Sequence, residues 1–137
     1  MAYKGEHLNN CRAVPFDWNN SAVVIVSGTG PNACGHSIAN AGNYYFHIDG
    51  LNDRPWYMSH AGYLRYLREN GKREIRRHRV HVPDPAGAQF ALETLSTQNW
   101  RWLGVPNNCA SFVEDVFTGG GARVRSLTNC PALGWRT

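Results

Sequence analysis

Val105-Pro-Asn-Asn-Cys109-Ala-Ser-Phe-Val-Glu-Asp-Val-Phe-Thr118, closed by Gly119-Gly-Gly121, is the segment on which the reading of the fold turns. Phe112, Val113, Val116 and Phe117 recur three and four apart, the spacing of one buried helical face. Asn108 suits the N-cap, because its side chain can accept from the amides of the first turn, and the three glycines end the helix. Cys109 therefore falls at the start of a helix that must bury its stripe against something else. The segments upstream supply that partner.

Ala22-Val-Val-Ile-Val-Ser27 reads as a buried strand stopped by Gly28, Gly30 and Pro31. A second strand starts near Gly35-His36-Ser37-Ile38, and after the turn Asn40-Ala-Gly-Asn43 a third runs from Tyr44 to Ile48. The two form a hairpin with Tyr45 and His47 on one face and Tyr44, Phe46 and Ile48 on the other. Ser59 caps a helix through Leu64 and Leu67 that ends at Asn70-Gly71. Residues 73 to 82 are extended, and Asp84-Pro85 opens a helix through Phe90, Leu92 and Leu95. The expectation is an α+β fold in which a small antiparallel sheet packs against helices. It forms one domain over residues 1–137, with a polar, Asn-rich arm over 1–20 and a tail over 122–137, and without internal repeats.

The chain has 137 residues, 42% of them hydrophobic and 18% charged, enough to bury a core without metal or disulfides. The longest apolar run, Ala22 to Val26, is too short to cross a bilayer, which excludes a membrane-spanning chain. Collagen-like and coiled-coil chains are excluded as well. The net charge of +4 concentrates in Lys72-Arg73-Glu74-Ile75-Arg76-Arg77-His78-Arg79. That run reads as a solvated strand or sheet edge, with binding of an anionic partner as the competing reading.

Cys109 is the residue most open to chemistry. Unsatisfied amides and the helix dipole at a first turn favour a thiolate, and the same amides can hold an oxyanion. The competing reading is a buried cysteine acting as a small hydrophobe. A nucleophile needs a base and the base an orienting partner. Of six histidines, His36 and His47 stand out, because the hairpin can place both imidazoles on one face. One would act as base while the other fixes its tautomer. Asp49 is the alternative orienting residue. His7, His60, His78 and His81 are expected at the surface. Cys34, two residues before His36, is a competing nucleophile, and Cys11 and Cys130 can bridge in an oxidising compartment. In a zinc site from Cys34, His36, His47 and Cys109 only Cys34 and His36 have tight ligand spacing, and no metal or cofactor is expected. Trp56 and Tyr57, in a loop after the hairpin, either pack or wall a substrate groove.

Asn108-Cys-Ala-Ser-Phe112-Val113 resembles the Asn-Cys-x-x-Phe-Val nucleophile motif of the lecithin:retinol acyltransferase-like proteins. These are circularly permuted relatives of the NlpC-type, papain-like cysteine hydrolases. Gly35-His36, Phe46-His47 and Asn108-Cys109 follow the order and approximate spacing of that group, over roughly residues 22 to 121. The resemblance implies a permuted papain-like fold with Cys109 as nucleophile, His36 as base and His47 as orienting residue. Ser37 follows His36 where lipid-acting members usually carry an aromatic residue, and the chain shows no C-terminal anchor. It is more similar to small bacterial cell-wall hydrolases and antibacterial effectors, including type VI secretion cargo. The function expected is cleavage of an amide in peptidoglycan peptides through a thioester. The alternatives are a phospholipase or acyltransferase using the same triad, and a non-enzymatic module binding through residues 72–79. The expected setting is export without a standard signal and action in a target cell's periplasm by a monomer. A cognate immunity protein and weak contact with anionic membrane are the partners that follow, and no nucleic acid.

Overall fold

The computed structural model describes residues 2–7, 15–27, 35–48, 55–96 and 108–124, with the side chains of residues 108 and 109 outside that description. In chain order the elements are β1 (Glu6–His7), β2 (Ser21–Val26), β3 (His36–Ala41), β4 (Tyr44–His47), β5 (Trp56–Ser59), α1 (His60–Glu69), β6 (Glu74–Val80), α2 (Pro85–Leu95) and α3 (Asn108–Gly119). The described strands make one six-stranded sheet in the order β1-β5-β4-β3-β2-β6, every pair antiparallel. With three described helices, the class is α+β.

Helices cover both faces of this sheet, which explains why Ala22 to Val26 is apolar without alternation: every residue of β2 is buried. Val23, Ile25, Ala39, Ala41, Phe46 and Ile48 face α2 and α3, where Leu92, Phe112, Val113, Val116 and Phe117 complete the larger core. Val24, Val26, Ile38, Tyr45 and Met58 face α1 and meet Tyr63 and Tyr66. Each fully buried side chain of this size contributes about 1.5–3 kcal/mol. The turn between β3 and β4 needs Gly42 in the left-handed region, at φ 61°. A Cβ there would lie 2.9 Å from Cβ of Asp17.

Ser59 caps α1 by accepting from the Gly62 amide, and Asp84 caps α2 by accepting from Gly87. Both caps stand where the side-chain chemistry predicts them. Three features differ from the sequence reading. Helix α3 begins at Asn108 itself, so that residue is helical rather than the flanking cap. Residues 56–59 form β5, not a loop, because pairing with β4 at Tyr45↔Met58 and Phe46↔Tyr57 gives their backbone a ladder. The arm contributes β1, which adds to β5 at the sheet edge.

The basic run is β6, the opposite edge, where charged side chains deter pairing with another chain. Its charges are partly committed. Arg77 Nη2 donates to Glu74 Oε1 and to the Tyr45 hydroxyl, both at 2.9 Å. Tyr63 donates to Glu74 Oε1 at 2.6 Å, and its ring stacks on Tyr45 with centroids 4.1 Å apart. The Arg77 hydrogen bond, helped by that of Tyr63, holds the Glu74 carboxyl below its usual range. A carboxyl depressed on folding stabilises the protein above its unfolded value of about 4.3, and the contribution is lost as pH falls through the folded value. Glu74→Gln is therefore expected to lower the urea midpoint at neutral pH, with the difference from wild type shrinking below about pH 4. A difference independent of pH would show that the carboxylate's charge has no part in it.

Candidate functional site

His36 opens β3 and His47 closes β4, so the hairpin brings them to one end of the sheet. The register pairs Val26 with His36 and Trp56 with His47, which turns both rings to the α1 face. They are buried, His36 at 7% and His47 at 0% exposure. Nε2 of His36 lies 2.8 Å from Nδ1 of His47, and Nε2 of His47 lies 2.8 Å from the carbonyl oxygen of Lys4. Tyr66 meets the His47 ring edge-to-face at 5.2 Å and the His36 ring at 6.5 Å.

This chain of contacts determines where the protons sit. A carbonyl oxygen only accepts, so Nε2 of His47 carries hydrogen. In the neutral pair Nδ1 of His47 is then the acceptor, and Nε2 of His36 donates to it. Nδ1 of His36 is left as the basic nitrogen. A neutral ring held in one tautomer has the chemistry a general base needs. When it takes a proton, the Lys4 carbonyl dipole stabilises the positive charge passed along the pair.

Cys109 occupies the first turn of α3. The carboxyl end of α3 is tied to the Ser21–Ala41 end of the sheet: Asp84 N–H donates to the Gly120 carbonyl, and Phe117 meets Trp18 edge-on at 6.2 Å. Because α3 lies over β3 and β4, its first turn is directed toward the His36 end. The helix is nevertheless on the face opposite the histidine rings.

His36 and His47 are thus brought together. Cys11, Cys34, Asp49 and Cys130 lie outside the described residues, as does the thiol of Cys109. Trp56 stacks on His7 with centroids 3.9 Å apart, so His7 is half-buried rather than superficial. His60 is exposed, as expected, with Nδ1 3.0 Å from the Tyr45 hydroxyl. Tyr57 lines an open groove with Phe16, Asp17, Asn20, Gly42 and Tyr44, on the α3 face and at the far end of β3 from His36. The groove is therefore not the histidine site. Among the described residues no group of three His, Cys, Asp or Glu side chains could hold a metal ion, and no helix is long and apolar enough to cross a membrane.

The Lys4 carbonyl is the member of the arrangement that residue types did not point to. A backbone oxygen leaves no trace in a sequence, and the only local signal is Gly5 beside it. Set against known proteins, the chain matches no family, no curated protein and no solved structure.

Proposed function

We propose that the chain is a cysteine hydrolase of the permuted papain-like kind, acting on an amide in bacterial peptidoglycan peptides. The observation that carries the reading is the relay Lys4 carbonyl, His47, His36, which leaves a basic Nδ1 on a buried imidazole. Two buried histidines bonded to each other are a costly way to fill a core, and proton transfer gives them a use. The order Gly35-His36, His47, Asn108-Cys109 supplies the nucleophile.

In this mechanism His36 Nδ1 takes the proton of the Cys109 thiol, and the sulfur attacks the amide carbon. The Cys109 N–H, in a first turn and so not spent within the helix, helps hold the oxyanion. Collapse of the tetrahedral intermediate breaks the C–N bond, and the proton on His36 leaves with the amine. Water then loses a proton to His36 as it attacks the thioester, which releases the acid and returns the proton to sulfur. The ester-cleaving reading, a phospholipase or acyltransferase with the same residues, draws on the exposed basic edge β6. Purified sacculi and anionic liposomes, offered separately, distinguish the two.

The test of the thiolate itself is labelling with iodoacetamide at about pH 6, followed by peptide mapping. Fast alkylation confined to Cys109, and slowed about tenfold or more in His36→Ala, is the expected result. Labelling of Cys109 no faster than that of Cys11 or Cys130 removes the enzyme reading and leaves a binding module. Labelling concentrated on Cys34 moves the nucleophile to the residue nearest His36 in sequence.

A further inference from the structure

We propose that the amino-terminal arm, residues 2–7, is a positioning element of the histidine site, holding His36 in its base tautomer through the Lys4 carbonyl and His47. The proposal rests on the hydrolase reading and adds a control point to it, since what docks or releases the arm sets the activity of the base.

The arm is fastened by contacts that have no bearing on the histidines. Tyr3 N–H donates to Glu69 Oε1 at 2.9 Å, and its carbonyl accepts from Asn70 Nδ2 at 2.8 Å. The Arg65 guanidinium stands 4.3 Å over the Tyr3 ring. On the other side of Lys4, Glu6 and His7 pair with Tyr57 and Trp56. Between these fastenings the chain turns through Gly5 at φ 111°. A Cβ on Gly5 would lie 2.6 Å from the Tyr57 carbonyl oxygen and 2.9 Å from Met58 Cγ. No side chain fits there without moving the arm. Gly5 is thus the residue that lets the Lys4 carbonyl reach His47 while the strand beyond it stays paired.

The arm is nevertheless detachable. β1 is two residues long and sits at a sheet edge, the kind of element that opens locally at small free-energy cost. The docked arm also buries His7 Nδ1 with no hydrogen-bond partner among the described residues, which works against docking. With the arm away, Nε2 of His47 loses its fixed acceptor. Nδ1 of His47 is then no longer held as an acceptor, and the bond that keeps the His36 proton on Nε2 is weakened. A thiol facing the protonated nitrogen has no base.

The experiment uses Gly5→Val, which cannot keep the Lys4 geometry, and a chain lacking residues 2–5, which has no Lys4 carbonyl. In protein with 15N-labelled histidine, long-range proton–nitrogen NMR reads the tautomers directly. Wild type is expected to carry hydrogen on Nε2 of both His36 and His47. Both variants are expected to show mixed tautomers at His36 and a fall in kcat on the order of 10- to 100-fold with KM little changed, folding being checked by circular dichroism. Unchanged tautomers and an unchanged kcat in the folded variants overturn the proposal. So does loss of the fold in both, which would make the arm a structural strap. Failure of the hydrolase reading is visible separately: the tautomers would still shift with the arm, while hydrolysis would not depend on Cys109.

Discussion

Alanine at position 109 is expected to remove hydrolysis altogether, by a factor on the order of 10⁴ or more in kcat, while the fold persists. In the proposed mechanism the sulfur is the atom that forms the thioester, and neither His36 nor water can substitute for it at a comparable rate. The structural change is small by contrast. Alanine is the best helix former, and position 109 lies in the first turn of α3, ahead of Phe112, Val113, Val116 and Phe117, which hold the helix to the sheet. A stability change within about 1 kcal/mol is expected by urea denaturation. New amino groups released from purified sacculi measure the activity, with Cys34→Ala as the matched control. A folded Cys109→Ala variant that still releases amines would defeat the hydrolase reading as drawn. Loss of activity in Cys34→Ala alone would transfer the role to that thiol.

The parts of the architecture that the sequence discloses are those governed by a period. Alternation put Tyr45 and His47 on one face and Phe46 and Ile48 on the other, and the two cores divide in that way. The spacing of Phe112, Val113, Val116 and Phe117 required a buried helical face, and all four are fully buried. The concentration of arginine over 72–79 marked an edge, and β6 is one. Periodicity says which residues share a face, but not which helix covers it. Nothing in the sequence therefore told that α3 would lie opposite the histidine rings, or that Tyr63 and Tyr66 of α1 would pack beside them. Strand β5 escaped because four residues give alternation no room to emerge, and Pro55 before them reads as a turn. The Lys4 carbonyl escaped for a different reason. Every residue has such an oxygen, and only the tertiary course of the arm makes this one an acceptor for His47.

Phenylalanine in place of His47 separates a catalytic pair from a packed pair more sharply than alanine does. The ring of the replacement fills nearly the same volume beside Tyr66, across the ladder from Trp56, so the core need not collapse into a cavity. What disappears is the acceptor for Nε2–H of His36 and the donor to the Lys4 carbonyl. Loss of the two bonds, one at the buried His36 Nε2 and one at the half-buried Lys4 carbonyl, costs about 1–3 kcal/mol, so a lower urea midpoint is expected along with an intact circular dichroism spectrum. On the hydrolase reading the rate is expected to fall far more than stability alone explains, by about 10²- to 10⁴-fold in kcat, because His36 is no longer held in one tautomer. His47→Asn bears on the same point from the other side. Its amide oxygen can accept from His36 while its NH2 donates to Lys4, so it is expected to recover part of the rate that phenylalanine loses. Equal losses in the two variants would mean that His47 acts by its size. Wild-type turnover in His47→Phe would mean that the relay has no part in the chemistry, and would leave the buried histidine pair as a feature of packing.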